Sequence, residues 1–283
     1  MDISDSDVKA LALKANDIRV SIIEMLLLAG SGHTAGPLGI ADVFTAVYFK
    51  ALKHNPFKPD WEDRDRVILS NGHICPVLYA TLAHSGYFKL EVLKTLRKFG
   101  SQLQGHPHRE FLKSVETSSG PLGSGLSQAV GMAIAERIDS GVQSSKTFYC
   151  FMGDGELDCG EVWEAAMLCG KERLHNVIAI VDRNNIQIDG YTEDVMPLEP
   201  LKDKWESFNW HVQEVDGHDF REILSAIERA KAILEKPSVI IARTIASKGV
   251  PQFERKFEWH GKAPNEEEAK LALEELKKAR EEI

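Results

Sequence analysis

The triplet Gly153-Asp154-Gly155 follows an apolar run, Phe148-Tyr149-Cys150-Phe151-Met152, and leads into a segment with helical patterning. Paired glycines let a backbone come close to a phosphate, and a helix N-terminus offers free N–H groups and a positive dipole end. Asp154 supplies the hard anionic oxygen that Mg²⁺ prefers. After 28 intervening residues (156–183) comes Asn184-Asn185, just past a second apolar run, Val177-Ile178-Ala179-Ile180-Val181. A carboxylate and an amide at neighbouring strand ends would form a cation site able to bridge protein and diphosphate. A lone Gly-Asp-Gly is a common surface turn; the spacing and the two flanking strands make this one far more specific. Histidine is the second chemical feature. Four of the ten histidines directly follow glycine (His33, His73, His106, His218), and His260 precedes Gly261. Imidazole both donates and accepts near neutral pH, as chemistry on a hydroxyl-rich substrate requires. Each of these histidines taken alone is ordinary turn chemistry.

The elements that must position these groups follow from periodicity. Residues 4–29 predict a helix capped by Ser4 or Ser6 and ended by Gly30, and a second helix is expected from Ile40 to Leu52. Arg66–Ser70 reads as a short buried strand, followed by helices near 74–84, 90–99 and 124–139. The runs 148–152 and 177–181, with a helix over 161–172 between them, form a βαβ unit. Strand 211–215, a helix near 219–234 and strand 238–242 continue the alternation. The tail, 265–283, reads as a charged, solvated helix with seven Glu and four Lys or Arg. The expected fold is therefore α/β: one doubly wound domain over 1–283, with a mostly parallel sheet and helices on both faces. Long loops near 100–120, 186–203 and 246–264 are expected to carry function.

With 34 basic and 43 acidic residues the net charge is −9, which argues against nucleic acid as a partner. No apolar stretch reaches membrane-spanning length, and the N-terminus lacks a signal-peptide pattern. The four cysteines show no CxxC spacing, consistent with reduced thiols and a cytoplasmic location.

The spaced Gly-Asp-Gly and Asn-Asn resemble the thiamine diphosphate signature. Gly155-Glu156-Leu157, Val162-Trp163-Glu164-Ala165-Ala166-Met167 and Asp189-Gly190 narrow that resemblance to transketolase. Ser31-Gly32-His33-Thr34, Ser70-Asn71-Gly72-His73, Gln104-Gly105-His106-Pro107, Ser119-Gly120-Pro121-Leu122-Gly123 and Trp259-His260-Gly261 resemble its histidine and glycine-rich segments, in the family's order. The resemblance implies thiamine diphosphate with Mg²⁺, or Ca²⁺ or Mn²⁺ in its place. The ion would be held by Asp154, the Asn184 side chain and the Ile186 carbonyl, with Gly153 and Gly155 beside the diphosphate. It implies that His73 and His260 touch the diphosphate, and that His33, His106 and His260 surround the sugar, with His33 and His260 placed for proton transfer. Gly120, Leu122, Ile188 and Ile245 would pack against the cofactor rings. His218, before Asp219, is expected to be structural, and His108 has no family role. A Zn²⁺ site from His106 and His108 lacks further ligands at suitable intervals.

The resemblance further implies a C-terminal transketolase subunit that carries the pyrimidine-binding domain and the catalytic glutamate, because only 19 residues follow Pro264. The expected enzyme is a split transketolase acting on sugar phosphates as a two-plus-two heterotetramer. Cys159 stands where the family has a glutamate, which puts coupling between paired sites in question. The alternatives are a subunit of a 2-oxoacid dehydrogenase or deoxyxylulose-phosphate synthase type, or a non-catalytic cofactor-binding module.

Overall fold

The computed structural model describes residues 3–141 and 145–283. The first helix, α1, covers Asp5–Ala29; the Ser4 side chain accepts from the Asp7 N–H, and Gly30 closes the helix at φ 63°. Two short helices follow, α2 (Ala35–Gly39) and α3 (Ala41–Ala46). The helix expected over 40–52 does not run through as α-helix: its second half, Val47–Ala51, widens to a π-turn. Strand β1 is Arg66–Leu69 and helix α4 is Cys75–His84. The helix expected over 90–99 shrinks to a 3₁₀ segment, Leu90–Thr95, because the chain turns through Leu96 into a left-handed Arg97. Helix α5 (Ser124–Ser140) precedes strand β2 (Phe148–Gly153), helix α6 (Gly160–Glu172) and strand β3 (Val177–Arg183), the last three forming the anticipated βαβ unit.

The long segment after β3 is partly structured: β4 (Ile186–Gln187) and β5 (Gly190–Tyr191) pair as a small hairpin, followed by α7 (Thr192–Val195) and α8 (Leu201–Ser207). Strand β6 (His211–Asp216), helix α9 (Phe220–Ala232), strand β7 (Ser238–Arg243) and helix α10 (Glu266–Glu282) complete the order. The main sheet has five strands in the order β1-β2-β3-β7-β6, and every pair is parallel.

Side-chain alternation in the central strands explains the two layers. Tyr149, Phe151, Ile178, Ile180 and Ile240 face a core built with α1, α3, α4 and α9. Phe148, Cys150, Met152, Val177, Ala179 and Val181 face a second core with α5, α6 and Trp205 of α8. Both faces are covered, so these strands read as continuous apolar runs. The tail is less solvated than expected. Helix α10 buries Ala269, Ala272 and Leu276 at helical spacing against the core shared with α1, and only its outer face carries the charges. No described helix is long and apolar enough to cross a membrane.

Candidate active site

The carboxyl ends of β1, β2, β3 and β7 meet at one rim of the sheet, where ligands bind in open parallel folds. Register places Gly153 of β2 beside Asp182 of β3, and the Asp154 N–H donates to the Asp182 carbonyl at 3.2 Å. Asp154 is buried. Its carboxylate accepts from the N–H groups of Gly155 (2.8 Å) and Asn185 (2.7 Å) and from Arg183 Nη1 (3.1 Å). Burial outweighs those donors and raises the Asp154 carboxyl to about 6. The Asn184 amide donates to Asp182 (2.8 Å), and its oxygen accepts from the Ile186 N–H (3.1 Å). Burial likewise holds Asp182 up at about 7, although Thr244 and Asn184 donate to it. The corner thus gathers carboxylate, amide and carbonyl oxygens, the hard donor set that suits a divalent cation.

The opposite wall is made of imidazoles. The His33, His73 and His260 rings lie with centroids 4.8, 5.1 and 5.5 Å apart. Three separate segments bring them there: the turn after α1, the turn after β1 and the loop before α10. Thr34 Oγ1 donates to the Lys262 carbonyl at 2.6 Å and locks the first of these to the last. Between the walls lies a cavity of about 310 Å³. Of the residues singled out from sequence, His33, His73, His106, Gly120, Leu122, Gly153, Asp154, Gly155, Asn184, Ile186, Ile188 and His260 all line it. Ile245 does not. Its backbone N–H donates to His218 Nε2 at 2.9 Å while His218 Nδ1 bonds Asp42 at 2.7 Å. His218 is thereby a structural bridge, and Asp219 caps α9 as expected. His108 is not among the residues lining the cavity; its Nδ1 accepts from the Glu110 N–H and its ring lies tilted beside Phe111.

Several supports of the site take their role from tertiary contacts rather than from local spacing. Glu156, nearly fully buried, accepts from Ser70 Oγ and from the N–H groups of Gly123 (2.7 Å) and Gly153 (3.1 Å). It ties the glycine-rich turn to the ends of β1 and β2. A Cβ at Gly125 would overlap Ser70, so that turn sits this close only with glycine. Arg183, 2% exposed, is surrounded by Asp154, Thr192, Glu193 and Glu199 and joins the oxygen-rich corner to the segment after β5. An arginine ending an apolar strand was the one available hint. Cys159 is half-buried, packs beside Gly123, and has its thiol pushed up by burial and by Glu156, Asp158 and Glu161, which argues against an activated thiolate.

A parallel sheet with a hard-oxygen corner facing a histidine cluster across one cavity is the layout of a cofactor site for a diphosphate. The chain belongs to the transketolase family, whose thiamine diphosphate binding domain matches residues 11–280. It is 46% identical over 94% of its length to the 6-deoxy-6-sulfo-D-fructose transketolase subunit SqwG of Clostridium sp. (strain MSTE9), covering 95% of that protein. It is 38% identical to an apulose-4-phosphate transketolase subunit from Phocaeicola vulgatus, covering 94% of it. Transketolase 2 of Escherichia coli is 42% identical, but there the chain spans only 40% of the relative. The crystal structure of transketolase from Campylobacter jejuni superposes with a TM-score of 0.89 at 37% identity, over 98% of this chain and 43% of that one. These relatives are transketolases and transketolase subunits, as the histidine segments implied.

The clustered imidazoles have a measurable consequence. Burial, and then the neighbouring rings, lower His33 to about 4 and His73 to about 2, and burial lowers His260. A histidine with a depressed folded-state pKa contributes stability above its unfolded value, near 6.5, that is lost as pH falls toward the folded value. Asp154 and Asp182, raised in the fold, titrate with the opposite sign, so the histidine share is read as a difference. Relative to wild type, His73→Asn is expected to gain stability as pH drops from 7 to 5, by up to ~1.4 kcal/mol per pH unit. Thermal melts of both proteins at several pH values check this.

Proposed function

We propose that this chain is the cofactor-holding subunit of a transketolase, moving a two-carbon ketol unit from a ketose phosphate to an aldose phosphate. Its expected partner is a C-terminal transketolase subunit with the pyrimidine-binding domain and catalytic glutamate, in a cytoplasmic two-plus-two heterotetramer. The observation that carries this reading is the single cavity with the Asp154–Asn184–Ile186 oxygens on one side and the His33–His73–His260 rings on the other. The names of the two subunit relatives support the partner.

The site residues fit thiamine diphosphate and Mg²⁺. Asn71 Oδ1 and His33 Nδ1 are buried without partners among the described residues, and Asn71 and His33 line the cavity, so polar demand there awaits a ligand. Gly120 lines the cavity at φ 159°, and a Cβ there would meet nothing within 4 Å, so the glycine keeps open space where a ring can lie. Asp154, the Asn184 oxygen and the Ile186 carbonyl would hold the cation, while Gly153, Gly155, His73 and His260 would face the diphosphate. The chemistry supplied by bound thiamine diphosphate is the uptake and release of the two-carbon unit.

The chain's own side chains then manage placement and protons. Gly120, Leu122 and Ile188 shape the wall for the cofactor rings, with Ile245 the further apolar residue assigned to them. His33, His106 and His260 face the sugar hydroxyls. Held neutral at working pH, each imidazole keeps one N–H and one lone pair, so it can donate to one oxygen and accept from another. One relative is named for a sulfonated ketose and another for a phosphorylated one, so the end that differs is the anionic tail. The histidines address the part such ketoses share, the ketol end.

This separates binding from chemistry. His33→Ala and His106→Ala are expected to retain cofactor affinity while the assembled enzyme loses about 10²-fold or more in kcat/KM. Calorimetry with thiamine diphosphate and steady-state kinetics measure the two halves. Wild-type kinetics in both variants would remove the histidines from the mechanism.

A further inference from the structure

Arg97 stands out among the groups that the proposed mechanism does not use. Its backbone is left-handed, φ 59°, a conformation costly for a side chain with a Cβ, and its N–H donates to the Leu103 carbonyl at 2.9 Å. The side chain lies between two site loops. Nη1 reaches Ser31 Oγ at 3.4 Å, two residues before His33. On the other side the guanidinium lies against Gly105, directly before His106, where a Cβ would sit 3.1 Å from both Cζ and Nε. The same loop is pinned from below by Tyr79, whose hydroxyl donates to the Gln104 carbonyl at 2.8 Å, and by Cys75, whose thiol donates to the Gly105 carbonyl at 3.2 Å. Arg97 itself forms no ion pair with a carboxylate among the described residues, although it is exposed and the protein carries excess negative charge.

We propose, resting on the transketolase reading above, that Arg97 is a positioning residue that clamps the loop of His33 to the loop of His106 and so sets the two sugar-facing imidazoles relative to each other. A planar guanidinium suits this bridge because one face can pack on a backbone while its edge donates to a neighbour; a lysine ammonium supplies the charge without the fork. The positive charge has a second effect. The titratable and charged groups facing His33 are His73, His106, His260 and Arg97, and those facing His106 are Arg97, His33 and His73. After burial, Arg97 helps to lower both imidazoles and keep them neutral.

Two variants separate the roles: Arg97→Gln removes the charge and Arg97→Lys keeps it. In the chain alone, NMR titration of the histidine ring protons is expected to show the His106 midpoint moving up in Arg97→Gln and staying in place in Arg97→Lys. Both are expected to bind thiamine diphosphate as wild type does. In the complex with the partner subunit, both variants are expected to lose about tenfold in kcat/KM, because charge alone does not restore the bridge. Only Arg97→Gln should also shift the acidic limb of the pH profile upward. An unchanged His106 midpoint in Arg97→Gln, or wild-type kcat/KM in both variants, overturns the inference. If the wild-type complex shows no ketol transfer, the transketolase reading fails instead, and the NMR midpoints still test the electrostatic contact.

Discussion

Purified alone, the chain is expected to transfer no ketol unit between sugar phosphates, and adding a partner subunit should restore turnover from background to an ordinary enzymatic rate. The effect is expected to be large because apolar residues lining the cavity stand open to water. Leu122 (42% exposed) and Ile188 (69% exposed) line its mouth with their apolar surface open to water, and Tyr191 and Met196 are exposed along the same segment. Water with free access to a reacting centre weakens each fixed hydrogen bond there, and covering the site strengthens them. The names of two relatives as subunits, each matched over nearly its whole length, support the same division of labour. The test mixes the chain with the candidate partner and follows formation of sedoheptulose phosphate from two pentose phosphates. Robust turnover by the single purified chain would refute obligate assembly.

Asp154→Ala is expected to weaken thiamine diphosphate retention in the presence of Mg²⁺ by more than a hundredfold, about 3 kcal/mol. Asp154 is the only carboxylate assigned to the cation, and its removal leaves diphosphate charge uncompensated at the strand ends. It also receives the Gly155 and Asn185 N–H groups and Arg183, so the substitution orphans buried donors. Asp154→Asn therefore accompanies it as a control, since it keeps an acceptor oxygen while losing the charge. Asn184→Ala should be milder, because the amide contributes one neutral oxygen. Calorimetry of Mg²⁺ and cofactor binding, with melting curves to confirm folding, decides the matter. Normal binding by both Asp154→Ala and Asn184→Ala would move the metal site elsewhere.

The order and type of the main-sheet strands were open to direct reading because β2 and β3 are buried on both faces, and continuous apolar runs of strand length bracket the Gly-Asp-Gly turn. The ends of α1 were equally plain, since Ser4 and Gly30 are local caps. The helical tail was legible in type but not in setting: small residues at Ala269 and Ala272 look neutral in sequence, and only contact with the α1 side of the core shows them buried. The helix expected over 90–99 failed for a related reason. Its apolar spacing suits a helix, but the bond from the Arg97 N–H to the Leu103 carbonyl bends the chain into the His106 loop.

Glycine-adjacent histidines and the spaced Asp154 and Asn184 identified the chemistry, because those residue types sit in short contiguous motifs. What closes them into one site spans long sequence distances and leaves no local mark. His33 and His260 lie 227 positions apart by their numbering, yet their ring centroids are 5.5 Å apart. Glu156 is legible as part of a motif, but only the fold shows it buried among Ser70, Gly123 and Gly153. His218 binds Asp42, 176 residues away, and holds the Ile245 backbone N–H, a link that neither local motif announces. Residue type and local spacing set which groups are available; the register of a parallel sheet decides which of them meet.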